Sequence, residues 1–151
     1  MRDITIANET HLDELARLFN LYRIFYEQVD DYESAYEFIK QRIINQESIV
    51  FLSRKNTNNY NGFVQLYPSF CSVSGIPILI LYDLYVDKDQ RGLSIGRRLM
   101  DRSKVYAKDN GFKRLELSTA KDNLIGQSLY ESLGYEQDSE FYHYSLEIEY
   151  D

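Results

Sequence analysis

The segment Arg91-Gly92-Leu93-Ser94-Ile95-Gly96-Arg97 gathers small residues and arginines in a pattern suited to holding an anion. If a helix begins here, its first turn leaves about four backbone N–H groups without intrahelical partners and carries roughly half a positive charge. A phosphate placed there is stabilised by both effects, and Gly92 and Gly96 let the backbone approach a bulky diphosphate closely. Arg97 and Arg98 would oppose the helix dipole by roughly 0.3–1 kcal/mol each when exposed. A bound anion reverses that cost, and a solvated, screened face is the competing reading. The segment lacks the Gly-Lys-Ser/Thr ending of a nucleoside-triphosphate loop. It also lacks the full dinucleotide fingerprint, and it follows a fourth predicted strand rather than a first.

Other chemistry is sparse. Cys71 is the lone cysteine and has no nearby histidine, so it reads as a small buried hydrophobe rather than a nucleophile. His11 and His143 lie far apart without metal-ligand spacing, and no metal site is expected.

The elements that must position the cradle follow from periodicity. Residues 2–7 alternate as a first strand, and Thr10 opens a helix with Leu12, Leu15, Ala16, Phe19 and Tyr22 at helical spacing. Ser34-Ala35-Tyr36-Glu37 has capping-box spacing and opens a second helix to about Asn45. Strands at about 48–54 and 62–67 flank the polar turn Asn56–Gly62. Ile78–Val86 is apolar on both parities, as in a central strand covered on both faces. A helix from about Ile95 to Asp109 ends at Gly111, and another from Asn123 to Leu133 ends at Gly134. Between them Lys113–Thr119 reads as a strand, and Phe141–Glu149 alternates as a last one. With no repeat and no linker, residues 1–151 read as one domain of the α/β (α+β) class, with a mixed sheet flanked by helices.

Composition narrows the partners. The 151 residues are 44% hydrophobic and 27% charged, ordinary for a globular chain. The net charge of -7 argues against nucleic acid and tolerates a cationic substrate better than an anionic one. The apolar run Ile76–Val86 is too short to span a bilayer, so no membrane role is expected. No secretory pattern opens the chain, and the unpaired cysteine agrees with a reducing compartment, so the expected setting is the cytoplasm.

Two motifs together carry a family resemblance. Leu84-Tyr-Val-Asp-Lys-Asp-Gln-Arg91-Gly-Leu-Ser-Ile-Gly96-Arg-Arg-Leu-Met100 resembles motif A of the GNAT N-acetyltransferase superfamily. Ser94 stands where the first motif glycine is usual, and serine is a favoured helix N-cap. Asn123-Leu-Ile-Gly-Gln-Ser-Leu-Tyr130-Glu-Ser-Leu-Gly134-Tyr135 resembles motif B, with Gly126 at a position that is often alanine.

The resemblance implies the GNAT acyl-CoA acyltransferase fold, with a mostly antiparallel central sheet, and acetyl-CoA as co-substrate. It would be held by Leu84, Tyr85, Val86, the segment from Arg91 through Gly92, Leu93, Ser94, Ile95 and Gly96 to Arg97, and Asn123 and Tyr130. Strands four and five would splay to admit pantetheine. Tyr130 would protonate the departing thiolate, although it also reads as one packing tyrosine among fourteen. A primary amine (a small amine, polyamine, amino acid or peptide lysine) would attack directly in a ternary complex.

An alkyl ammonium has a pKa of about 10.4 and must lose a proton first. Asp83, inside an apolar strand, is the candidate base, directly or through water; a buried aspartate satisfied by backbone N–H groups, or one at a strand irregularity, is the alternative. Tyr22, Tyr26, Tyr67, Tyr82, Tyr142 and Tyr144 are candidate substrate walls, with Glu27, Asp30 and Asp31 to attract a cation. These tyrosines equally suit a core or a subunit interface, which leaves room for a homodimer. A non-catalytic acyl-CoA-binding module is the alternative function, and a scaffold without cofactor is a third.

Overall fold

The computed structural model describes residues 3–150, which divide into two compact units, residues 3–118 and 119–150. Arg2, the start of the expected first strand, lies outside the described residues.

The first unit is a five-stranded mixed sheet in the order β1-β2-β3-β4-β5. Its strands are β1 Ile4–Ile6, β2 Ile49–Asn56, β3 Asn59–Cys71, β4 Ile76–Val86 and β5 Arg114–Glu116. The first four pair antiparallel, and β5 runs parallel to β4. The helices of this unit are α1 Leu12–Phe25, α2 Tyr32–Ile44 and α3 Ile95–Asp109.

Strand alternation divides the core. Val50, Leu52 and Phe63 join Leu15, Leu18 and Ile39 of α1 and α2 in one cluster. Phe51 points the other way, with its ring 5.6 Å from Tyr106 on α3. Each large aliphatic or aromatic side chain so buried contributes roughly 1.5–3 kcal/mol. This two-sided cover explains why β2 to β4 are apolar on both parities.

The helix ends depart from the sequence reading at two starts. Thr10 lies in a short 3-10 turn, Glu9–His11, whose cap is Asn8, and α1 begins at Leu12. At α2 the cap is Asp31, which accepts from the Ser34 amide at 3.0 Å, so the helix opens two residues before Ser34. A carboxylate outcompetes a hydroxyl as acceptor for these first-turn amides. The helix stops agree with expectation. Gly111 closes α3 with φ 80°, and the Phe112 amide bonds Ala107 O at 2.9 Å. That is the left-handed, six-to-one closure glycine favours.

The second unit contains α4, Leu124–Ser132, again closed by a left-handed glycine, Gly134. The last strand expected over Phe141–Glu149 is absent: residues 141–150 have no regular structure and are exposed. Alternation can mark which face of a strand would be apolar, but a strand also requires a partner for its backbone groups. Among the described residues none pairs with this segment.

Candidate functional site

Parallel pairing between β4 and β5 covers only Ile78–Ile80 against Arg114–Glu116. Beyond Ile80, β4 runs on to Val86 with β3 on one side and, among the described residues, no strand paired on the other. The backbone of Leu84, Tyr85 and Val86 is therefore open to an extended ligand on that side. The cause is the brevity of β5, three residues against eleven in β4.

The same strand is irregular where the open half begins. Gln65 lies opposite Asp83 and Leu66 opposite Leu81, so Tyr82 is one residue extra on β4. The bulge sends Tyr82 outward, 65% exposed, while Asp83 is buried at 3%. Burial pushes the Asp83 carboxyl above its usual range, against hydrogen bonds from Gln65 and Tyr22 that pull it down. The desolvation cost outweighs both bonds.

The Gln65 amide Nε2–H donates to Asp83 Oδ2 in a short contact, and its Oε1 accepts from the Ser48 hydroxyl at 2.8 Å. Tyr22 reaches from α1 to the same place. Its hydroxyl has two acceptors within reach, Tyr82 O at 3.4 Å and the Asp83 carboxylate, and its single hydrogen serves one of them at a time. Burial first, then the Asp83 charge, lifts this phenol far above the ordinary range. Tyr26 packs edge-on against Tyr22 at 5.1 Å, and Tyr67 against Tyr82 at 5.6 Å. Burial and Asp83 together push Tyr67 up to about 12.

The structure thus brings four of the six expected wall tyrosines, Tyr22, Tyr26, Tyr67 and Tyr82, to the surroundings of Asp83. The other two, Tyr142 and Tyr144, belong to the second unit and are 89% and 93% exposed. The acidic residues expected near them have local tasks. Asp30 accepts from Asn20 at 2.7 Å, Asp31 caps α2, and Glu27 closes α1 with φ 62°.

After β4 the chain makes a 3-10 turn at Lys88–Gln90 and enters the loop Arg91–Ser94, exposed throughout. Gly92 holds φ 81° and Ser94 φ 60°, both left-handed. Ser94 occupies the cap position of α3, yet its side chain caps nothing. The expectation of a serine N-cap therefore fails, because the backbone enters α3 from the left-handed region and not from the extended one that N-caps adopt. This geometry also explains the preference for glycine here, since an L-residue pays roughly 1–2 kcal/mol for it. Ser94→Gly is expected to raise the thermal midpoint by about 2–4 °C, the shift for ~1 kcal/mol in a domain of this size. A melting curve at fixed pH checks it.

First-turn amides of α3 face this loop without a side-chain cap. Gly62 on β3 lets the helix start sit close to the sheet. A Cβ there would meet Tyr85 O at 3.0 Å and Ile95 Cγ2 at 3.2 Å. Arg91 folds back on β4, where its Nε donates to Val86 O at 3.0 Å and its guanidinium lies 5.5 Å from the rings of Phe25 and Tyr85. Arg98 is committed to Asp3 at 2.8 Å.

In the second unit, Asn123 caps α4, its Oδ1 accepting from the Gly126 amide at 3.1 Å while its Nδ2 donates to Thr119 at 3.0 Å. A Cβ on Gly126 would lie 2.9 Å from Asn123 Cγ. Alanine at 126 therefore displaces the cap, at a cost of about 1 kcal/mol. Gly126→Ala is expected to lower the melting midpoint by roughly 2–4 °C, and an unchanged or higher midpoint would refute the steric reading. Tyr130 is half-buried on this helix, with the Tyr135 ring 6.3 Å away. Ile125, one turn before Leu129 on this helix, is 89% exposed.

Gln65, Ser48 and Gly62 were not singled out as site residues by spacing. A usable signal existed for Gln65, a polar residue in the apolar run Phe63–Leu66 on the strand preceding Asp83. Cys71 is half-buried rather than buried, and its thiol lies below its ordinary value because of Ser74 first and Arg114 second. A polar depression of about 340 Å³ beside Arg17 and Asp87 contains none of the expected site residues.

The profile of the acetyltransferase (GNAT) family matches residues 15–135. The chain is 45% identical over 146 residues to the uncharacterized N-acetyltransferase YhfO of Bacillus subtilis (strain 168), covering 97% of each chain. The crystal structure of a probable acetyltransferase superposes with a TM-score of 0.89 at 37% identity, covering 98% of this chain and 99% of that one. An aminoglycoside acetyltransferase, meta-AAC0020 from an uncultured soil metagenomic sample, shares the fold with a TM-score of 0.80 at 20% identity and 95% coverage of both.

Proposed function

The chain belongs to the GNAT family of acetyltransferases, and from that premise we propose that it transfers the acetyl group of acetyl-CoA to a primary amine by direct attack in a ternary complex. Enzymes of this family generally use acetyl-CoA as co-substrate, which supplies the activated acetyl group. The observation that carries the reading is the half-open β4 leading into an uncapped helix start. Backbone groups of Leu84, Tyr85 and Val86 offer a ladder to the pantetheine amides. Gly92, Leu93, Ser94, Ile95 and Gly96, with the Arg97 and Arg91 charges, offer the diphosphate its cradle. Gly92 and Ser94 fit such a group because their left-handed backbone turns successive amides toward one concavity.

Each step then falls to a group of this chain. Asp83 accepts the proton of the incoming ammonium, its raised proton affinity matching a base that must work near neutrality. Oriented β4 amides stabilise charge developing on the acetyl carbonyl oxygen. Tyr130, on a helix whose start is fixed by Asn123, gives its hydroxyl proton to the departing thiolate. Tyr26 and Tyr82 offer aromatic faces to the cation. A cytoplasmic setting fits the unpaired Cys71.

The test is thiol release from acetyl-CoA with spermidine, kanamycin, lysine and a lysine-containing peptide. At least one amine is expected to drive release. A thermal shift with acetyl-CoA but no release with any amine would favour a non-catalytic acyl-CoA-binding module. No shift at millimolar acetyl-CoA would leave only a scaffold.

A further inference from the structure

Asp83 is too deeply buried, at 3% exposure, for an ammonium group to reach its carboxylate from solvent. One polar side chain bridges the gap. Tyr22 is half-buried, bonds Asp83, and shares its ring contacts with the exposed Tyr26.

The hydrogen-bond polarity around Asp83 is fixed from behind. Ser48 donates to Gln65 Oε1, so the other end of that amide, Nε2–H, must face Asp83 and can only donate. A proton arriving on Asp83 therefore goes to Oδ1, the oxygen that Gln65 does not hold. A phenol is both donor and acceptor, so Tyr22 can give a hydrogen bond to the carboxylate and receive one from the carboxylic acid. Its own ionisation is suppressed by burial and by Asp83. It can pass a proton on but cannot keep a negative charge. The titratable groups around Asp83 are tyrosines: Tyr22 with Tyr26 beside it on α1, Tyr67 on β3 and Tyr82 on β4, while Arg42 and Glu47 act on Tyr67.

We propose that Tyr22 is the proton relay of this site and that Gln65, anchored by Ser48, is the positioning residue that aims Asp83 at it. The step balances as one concerted double transfer. An N–H bond of the ammonium breaks as a bond to the Tyr22 oxygen forms, and the Tyr22 O–H bond breaks as Asp83 Oδ1–H forms. The amine keeps its lone pair for attack, and the pair ends neutral. This proposal rests on the reading of Asp83 as base.

Two variants and two readouts test it. Tyr22→Phe keeps the ring that packs against Phe19, Tyr26 and Phe63. With the best amine of the panel its turnover is expected to fall about 10²-fold, with a thermal midpoint within a few degrees of the parent. Wild-type turnover in Tyr22→Phe, with amine acetylation intact, would overturn the relay and leave the transferase reading standing. Gln65→Leu removes a donor to the ionised form, so the acid limb of kcat/KM is expected to move to higher pH, and Ser48→Ala to move it the same way by less. The carboxyl ¹³C resonance of Asp83, titrated without any ligand, should rise in midpoint in both. An unmoved midpoint would overturn the positioning role of Gln65 whatever the amine panel shows. If no amine is acetylated, the transferase reading falls and the relay with it.

Discussion

Asp83→Asn is expected to lower turnover by about 10²–10³-fold at neutral pH while leaving the protein at least as stable as the parent. The rate loss is the usual contribution of a positioned general base. Asparagine keeps an oxygen for the Gln65 amide but can accept no proton from the incoming ammonium. Stability moves the other way because the buried carboxyl has its proton affinity raised in the fold. A carboxyl of that kind supports the folded state fully when it is protonated, below its unfolded pKa. That support is lost as pH rises through the higher folded pKa. Wherever Asp83 is ionised in the fold it is a burden, and asparagine removes it. Melting midpoints from the ordinary carboxylate range to neutrality should therefore fall in the parent and fall less in the variant. Equal slopes would mean that Asp83 is not raised. Full turnover in Asp83→Asn would remove it from catalysis.

Tyr130→Phe is expected to cost about 10²-fold in kcat with acetyl-CoA affinity unchanged. The separation follows from where the hydroxyl acts. Proton delivery to a thiolate matters only as the carbon–sulfur bond breaks, so its loss affects the transition state and not the ground-state complex. The ring and the α4 backbone remain, along with the Asn123 cap and the Gly134 closure that fix the helix ends. Single-turnover rates with calorimetric acetyl-CoA affinities separate the two effects. A variant that loses affinity and rate together would place Tyr130 in binding rather than in acid catalysis. A fully active variant would make it a packing tyrosine beside Tyr135.

Much of the architecture was legible because it depends on local rules. Helical spacing from Leu12 to Phe25, the apolar run of β4, and glycines at 111 and 134 all act within a few residues. The segment Phe141–Glu149 misled for the complementary reason: its alternation is local, but a strand exists only when another strand pairs with it. Ser94 misled in a different way. Its residue type suits an N-cap, yet the chain arrives left-handed after Gly92, and backbone direction overrides side-chain preference.

The sequence by itself determined the family, through Arg91–Gly96 and Asn123–Tyr130. It also determined the position of Asp83 in an apolar strand, since these depend on residue identity and spacing alone. Only the tertiary structure decided what surrounds that carboxylate. Ser48, Gln65 and Tyr22 come from three segments, and a bulge at Tyr82 sets which way Asp83 points. Side-chain polarity at such distances depends on register and on helix placement. Both are set by how the whole core packs, which no single stretch of the chain encodes.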